Sequence, residues 1–257
     1  MEINKIYNED CFETMNKMPN EFIDLIITSP PYNTSRKNTN DLYNDRYDEY
    51  IDCKTDDEYI NWTINLFNHY DKILKKNSCI LYNISYSSEN TYLIWHLVSD
   101  IIRKTNFITA DCIIWKKNSA IPNNRSKNKL TRICEFIFVF VRKNELETFI
   151  CNKKEISKIE KTGQSNYENI FNFIEAKNND GSNELNKATY SSELVRKLLR
   201  IYNKKDSLIY DSFMGTGTTA KACLMENINF IGSELSKKQV DFANKRLVPF
   251  LTQKTLF

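Results

Sequence analysis

Short apolar runs alternate along this chain with longer amphipathic stretches. Residues 22–28, 78–84, 110–116, 133–141, 207–211 and 229–234 are of strand length and rich in β-branched and aromatic side chains; residues 4–8 form a weaker seventh run. Between them, residues 56–76, 87–104, 191–203, 218–226 and 236–247 repeat their apolar positions at helical spacing. Ile60, Ile64, Phe67, Ile73 and Leu74 fall near one face of the first stretch, and Leu93, Leu97, Val98, Ile101 and Ile102 near one face of the second. Thr55, Asp56 and Asp57 stand ready to cap the first helix, and Ser191 and Ser236 cap two later ones. Alternating strands and helices predict an α/β fold around a largely parallel sheet. Such sheets bind ligands beyond the carboxyl ends of their strands. Segment 142–186 breaks the rhythm: it is polar and holds one compact apolar patch, at 167–174, so it reads as an insertion or an elaborated loop.

Two strand ends carry candidate chemistry. The run 22–28 passes directly into Ser29-Pro30-Pro31-Tyr32-Asn33. Two prolines cannot extend a strand ladder, and they hold the backbone extended. The carbonyls around Ser29 and Pro30 are expected to be fixed, unpaired and directed outward, with Tyr32 as an aromatic platform. Pro-Pro taken alone reads as a turn capping a buried strand. The run 207–211 leads into Asp211-Ser212-Phe213-Met214-Gly215-Thr216-Gly217-Thr218-Thr219 and a helix. Gly215 and Gly217 let the backbone pass close to a ligand whose polar end meets the loop and the helix start. The next strand ends in Gly232-Ser233-Glu234, where an acid can accept from two ribose hydroxyls. Ser212-Phe213-Met214 separates strand from glycines and Ala220 stands where a dinucleotide fingerprint has its third glycine, so the spacing favours S-adenosylmethionine over NAD. A phosphate-binding GxxxxGK[ST] loop is absent from the sequence.

Composition sharpens these readings. The chain has only five glycines in 257 residues but 32 asparagines. Asn tolerates positive φ better than other non-glycine residues and can take over turn positions. Three of the five glycines (215, 217 and 232) lie at the second strand-end motif and its neighbour, as a ligand's close approach requires. Seven cysteines, with no CxxC pair, read as reduced core thiols of an intracellular protein. No run approaches the 18 or so apolar residues of a membrane span, and Met1-Glu2-Ile3-Asn4-Lys5 lacks the apolar core of a secretory signal. The net charge of +3 is uninformative, but its distribution is not. Residues 115–161 hold 12 Lys/Arg against five Glu, whereas residues 41–58 hold eight acids against two bases. The basic stretch reads either as a solvated surface or as a phosphate-binding face, and the acidic stretch as a flap, a solvated face or a dimer contact.

TSPPYN at 28–33 and DSFMGTGTT at 211–219 strongly resemble motifs IV and I of the DNA amino-methyltransferases of restriction–modification systems. Motif IV precedes motif I, as in the circularly permuted β group. Asn8-Glu9-Asp10-Cys11 resembles the segment that contacts the cofactor adenine, with Glu9 in place of Gly. Residues 186–194 resemble motif X, from which Lys187, Tyr190 and Ser191 depart. The resemblance implies a Rossmann-like, S-adenosylmethionine-dependent methyltransferase fold, circularly permuted, with about seven strands and helices on both faces. Residues 1–141 would be its catalytic half, 142–186 a small target-recognition insertion and 187–257 its cofactor-binding half.

It also implies site roles. Ser29, Pro30, Pro31 and Tyr32 are the catalytic set: the Ser29 hydroxyl and Pro30 carbonyl accept the amino protons of a flipped-out base, and Tyr32 stacks on it. Asp10, Cys11, Asp211, Phe213, Gly215, Gly217, Thr218 and Glu234 bind S-adenosylmethionine. Arg36, Lys37, Lys116, Lys117, Arg125, Lys127 and Lys129 are the candidate phosphate contacts. The implied partner is double-stranded DNA in the cytoplasm; a homodimer and a cognate restriction endonuclease are compatible, and no membrane is involved. Ser at the first motif IV position is commoner in enzymes making N4-methylcytosine and Asp or Asn in those making N6-methyladenine, so cytosine N4 is favoured over adenine N6.

Other chemistries lose ground. C5-cytosine methylation needs a cysteine nucleophile, usually in Pro-Cys, which the sequence lacks, and no GxSxG elbow occurs. His69 and His96 lie on helical stretches without metal-ligand spacing and read as structural or surface residues. A non-catalytic DNA-binding protein on the same fold is opposed by the intact Ser29–Tyr32 and GxG motifs. A methyltransferase acting on RNA or a small molecule is the remaining rival.

Overall fold

A computed structural model describes residues 1–33, 54–86, 90–118, 127–159, 165–181 and 189–254. The strands are β1 (Lys5–Tyr7), β2 (Ile23–Thr28), β3 (Leu74–Ile84), β4 (Phe107–Lys117), β5 (Cys134–Arg142), β6 (Glu155–Ile159), β7 (Ser165–Tyr167), β8 (Phe173–Ala176), β9 (Leu208–Asp211) and β10 (Asn229–Ser233). The helices are α1 (Cys11–Asn16), α2 (Asp56–Ile73), α3 (Leu93–Lys104), α4 (Ser192–Tyr202), α5 (Thr218–Met225) and α6 (Lys237–Lys254). Eight strands form one sheet in the order β1-β10-β9-β2-β3-β5-β4-β8. The five from β1 to β3 are mutually parallel, β5 runs antiparallel to β3 and β4, and β8 lies parallel to β4.

The seven expected strands all form. The eighth, β8, comes from the polar segment 142–186, where Ile174 and Ala176 turn inward and Phe173 and Glu175 outward. It pairs with the end of β4 from Ile114 to Lys117. The antiparallel pair β6–β7 of the same segment stands apart from the main sheet. Three helix ends also differ from expectation. The helix expected from residue 87 begins at Leu93, whose amide donates to Asn90 Oδ1. The helix expected to run to residue 76 stops at Ile73, because buried Leu74 turns extended and pairs with Ile23. The last helix, expected to end at 247, continues through Pro249, and Phe250 beyond it still packs on the core. Thr55 caps α2 in a reciprocal capping box with Glu58, and Ser191 caps α4 by accepting from the Leu194 amide.

Strand alternation sorts the core into two layers. Leu25, Ile27, Leu81, Ile137 and Val139 face α4, α5 and α6, while Ile26, Ile80, Tyr82, Phe138 and Phe140 face α1, α2 and α3. With both faces covered, β2 reads as a nearly unbroken apolar run. Turn chemistry follows composition: of the six described non-glycine residues with positive φ, four are asparagines (Asn4, Asn33, Asn77 and Asn227). No described helix is long and apolar enough to cross a membrane, and the six described cysteines carry free thiols.

The topology gathers one edge. The parallel strands deliver their carboxyl ends there: Asn8 after β1, Ser29 after β2, Asn83 near the end of β3, Ser212 after β9 and Glu234 after β10. Antiparallel β5 brings its amino end to the same edge, and β4 brings Lys117.

Candidate active site

The chain reverses its winding between β9 and β2, since α5 carries it from β9 to β10 and α2 from β2 to β3 on the opposite face. A crevice at such a switch point is the expected ligand site. A buried hydrogen bond spans it: Thr28 Oγ1 donates to Asp211 Oδ1 at 2.8 Å, so the strand before Ser29 is tied to the strand before the glycine loop. The same carboxylate accepts from the Phe213 amide (3.0 Å), Tyr190 Oη (3.0 Å) and Thr219 Oγ1 (2.5 Å). Burial pushes the Asp211 carboxyl above its ordinary value, against the pull of these four donors. Asp211 is thus turned inward, as the knot that holds the loop. Tyr190, one of the departures from motif X, supplies one of the four donors.

Glu234 sits on the loop's other side. Its carboxylate accepts from the Gly215 amide at 2.8 Å and the Ser236 amide at 2.9 Å. Gly215 and Gly217 have φ of 53° and 81°, and Gly217 is the N-cap of α5, which begins at Thr218. Two of the three glycines answer to packing within the protein. A Cβ on Gly217 would lie 2.9 Å from Ala243 Cβ, and one on Gly232 would lie 2.3 Å from Met214 Cε. Asp10 caps α1, accepting from the Phe12 amide at 2.8 Å, and Asn8 Nδ2 donates to the backbone oxygens of Glu234 and Leu235. Cys11 is buried, and desolvation raises its thiol pKa. Phe213 lies 5.6 Å from Trp62, which stacks on Tyr59. This donor set fits S-adenosylmethionine. Two carboxylates stand at the ends of adjacent strands, one seated on the glycine loop, with an aromatic ring beside them. A carboxylate accepts several hydrogen bonds, so the backbone seat of Glu234 is compatible with a pair of ribose hydroxyls.

The second motif closes into a network that the sequence reading did not contain. Pro31 O accepts from Tyr59 Oη at 2.7 Å, and Asn33, at φ 51°, donates to Lys54 O. Ser29 Oγ lies 3.0 Å from Tyr32 Oη, and Tyr32 donates to Glu135 Oε2 at 3.0 Å. Asn83 Nδ2 shares its two protons among Tyr32 Oη (2.7 Å), Glu135 Oε2 (2.9 Å) and, more distantly, Ser29 Oγ (3.3 Å). Lys117 pairs with the other oxygen, Oε1, of Glu135 and lies over the Trp115 ring. Strand parity explains the convergence. Asn83 pairs with Ile137, Glu135 stands two residues from Ile137 and opposite Trp115, and Lys117 stands two residues from Trp115, so all three share a face. Asn83 is buried, and its Oδ1 has no partner among the described residues. A cleft beside Tyr32 is lined also by Asn33, Ile84, Tyr86 and Leu93.

Asn83 and Glu135 therefore join the expected set. Each is a lone polar residue at the strand-end side of an otherwise apolar run, which is the signal that could have found them. Of the candidate phosphate contacts, Lys116 pairs with Glu175 and Lys117 with Glu135, while Lys127 and Lys129 are exposed before β5. Arg36, Lys37 and Arg125, most of the acidic stretch and part of the motif X segment lie outside the described residues. His69 contacts Asn65 O and the Phe12 ring, and no metal-binding cluster occurs among the described residues.

Comparison with known proteins gives the chain a family and its fold a set of relatives. Residues 23–245 match the N6/N4 methyltransferase family model, described as DNA methylase. The chain is similar to the type II methyltransferase M.BglII of Bacillus subtilis, at 24% identity over 94% of this chain and 68% of that protein. It is similar to the type II methyltransferase M.HinfI of Haemophilus influenzae, at 27% identity over 95% and 68%. Its fold is similar to that of the PvuII DNA methyltransferase (cytosine-N4-specific), with a TM-score of 0.71 at 18% identity, covering 93% of this chain and 84% of that one. The M1.HpyAVI–SAM complex matches with a TM-score of 0.60 at 25% identity, covering 95% and 99%.

Proposed function

Because the chain belongs to the N6/N4 family of DNA methylases, we propose that it methylates the exocyclic amino group of a base flipped out of duplex DNA, at cytosine N4. When bound, S-adenosylmethionine supplies an electrophilic methyl group. Asp10, Phe213, Glu234 and the loop from Gly215 to Thr218 would hold it, with Cys11 beside them and Asp211 fixing the loop from below. An exocyclic amino nitrogen delocalises its lone pair into the ring and is a poor nucleophile. The Ser29 hydroxyl and Pro30 carbonyl accept its two protons and draw it toward tetrahedral geometry, while Pro31 keeps the turn rigid. Fixed orientation of this kind supplies much of a transfer rate. The base must leave the helix to reach this edge. Tyr32, anchored through its hydroxyl, offers it a stacking platform worth about 1–3 kcal/mol.

The observation that supports this reading is the Thr28–Asp211 hydrogen bond, which ties the strand before Ser29 to the strand before the glycine loop. Exposed Lys127 and Lys129 are proposed phosphate contacts, with the β6–β7 unit as the target-recognition element. Ser29 favours cytosine over adenine as the base. The reading assigns the protein to the cytoplasm, with a cognate restriction endonuclease as a proposed counterpart and a second copy of the chain as a compatible partner. Incubation with radiolabelled S-adenosylmethionine and unmethylated duplex DNA tests the reading, followed by base-resolved sequencing. Label in N4-methylcytosine at one short sequence is expected. Label in N6-methyladenine would correct the base, and no label in DNA with cofactor binding intact would overturn the function.

A further inference from the structure

The Ser29–Tyr32–Glu135 chain has a direction. A carboxylate has no proton to give, so Glu135 Oε2 only accepts from Tyr32 Oη and Asn83 Nδ2. Tyr32 has one hydroxyl proton, and it is spent on Glu135. Its oxygen can then only accept, from Asn83 Nδ2 at 2.7 Å and from Ser29 Oγ at 3.0 Å. The Ser29 proton is thereby committed to Tyr32, and the Ser29 oxygen keeps a lone pair for a donor outside the network. Lys117 grips Glu135 through the opposite oxygen, and the Glu135 side chain is 14% exposed, so the end of the chain is both fixed and within reach of water. Asn83 spans all three members through its amide nitrogen, while its buried Oδ1 has no hydrogen-bond partner among the described residues.

We infer that Glu135 is a positioning residue for the transfer: through the Tyr32 hydroxyl it locks Ser29 as a hydrogen-bond acceptor, and it receives the proton that the methylated amino group sheds. Methylation leaves the exocyclic nitrogen with one proton too many. That proton passes to Ser29 Oγ, the Ser29 proton to Tyr32 Oη and the Tyr32 proton to Glu135 Oε2. Ser29 and Tyr32 end as they began, Glu135 ends neutral, and solvent water takes the proton from it. Hydrogen bonds in such a chain polarise one another, so the carboxylate also makes Ser29 a better acceptor before any proton moves. Among the described residues, Lys117 and Tyr32 are the ionisable groups that contact Glu135, from β4 and the β2 end, with Asn83 from β3. The role of Tyr32 is then twofold, with the ring for the base and the hydroxyl for Ser29.

The inference rests on the proposed role of Ser29, and the test separates the two. Glu135→Gln can turn its NH2 toward Tyr32, which reverses the chain and makes Ser29 a donor. Tyr32→Phe keeps the ring and cuts the chain. Each is expected to lower kcat about 100-fold, with KM for unmethylated duplex DNA and the dissociation constant for S-adenosylmethionine within about threefold of wild type. The double variant should be no slower than either single one, since both break one chain. Wild-type kcat in Glu135→Gln or Tyr32→Phe, or a loss confined to KM, would overturn the inference. If Ser29→Ala is inactive while both of these variants keep full kcat, only the inference fails. If Ser29→Ala itself keeps full kcat, the proposed site fails with it.

Discussion

Two carboxylates at the same sheet edge, Asp211 and Glu135, are built from similar parts and do opposite work. Each accepts from a tyrosine hydroxyl, Tyr190 for one and Tyr32 for the other. Asp211 is fully buried, and its four donors come from the neighbouring strand, its own loop, α5 and the segment before α4. Glu135 stands at the rim, is balanced by Lys117, and leads through Tyr32 to the hydroxyl at which the base is proposed to react. A buried carboxylate surrounded by satisfied donors locks a fold; a similar one at the rim, with one chain member open to an outside donor, is the one proposed to tune a reaction. The difference lies in where the hydrogen bonds lead, not in residue type.

Removing each acid should break this symmetry most visibly. Asp211→Ala removes the acceptor shared by the buried hydroxyls of Thr28, Tyr190 and Thr219, and should cost about 3 kcal/mol of stability in urea unfolding. Glu135→Ala leaves a partly exposed lysine and a tyrosine that water can reach, and should cost about 1 kcal/mol or less. Equal losses would erase the distinction. The tyrosines sharpen it: Tyr190→Phe should cost about 1–2 kcal/mol by the same assay with transfer largely kept, because it removes one of four donors. Tyr32→Ala should lose transfer by at least about 100-fold with S-adenosylmethionine binding nearly unchanged. An equal loss of cofactor affinity would show that Tyr32 belongs to the cofactor pocket.

A comparably small effect is expected at a third acid. Asp180 accepts from the Ser192 amide and hydroxyl, Lys221 and Arg246, and Arg246 also donates to Thr216 O in the glycine loop. Burial opposes ionisation of Asp180, but the hydrogen bonds from Lys221 and Ser192 outweigh it and hold the carboxyl below its ordinary value. A depressed carboxyl stabilises the fold above its unfolded pKa of about 3.9, and that contribution is lost as pH falls through the lower folded value. Wild type should therefore exceed Asp180→Asn in stability at pH 6 by about 1 kcal/mol, discounted for solvent screening, with the gap closing on acidification below pH 4. A gap that widened in acid would contradict this assignment.

Much of this was legible in the sequence, and the rest was hidden for physical reasons. Residues 22–28 and 207–211 read as strands because they are buried on both faces, and the residues after them stood out because Pro-Pro and GxG are incompatible with continuing a strand. β8 was hidden because only two of its four residues point inward, within a polar segment. Glu135 and Asn83 were hidden because their meaning depends on strand pairing: antiparallel β5 brings its first residues to the edge where parallel strands end, and a sequence does not display that register. Gly232 was legible as special but for a different reason, since Met214 fills the space a side chain would need.

The central claim is that Ser29 faces the reacting amino group. Single-turnover transfer of labelled methyl from saturating S-adenosylmethionine to duplex DNA, compared between wild type and Ser29→Ala, tests it most directly. The account predicts label on an exocyclic amino group with wild type and a rate about 100-fold lower with the variant, at unchanged cofactor affinity. Equal rates would contradict it.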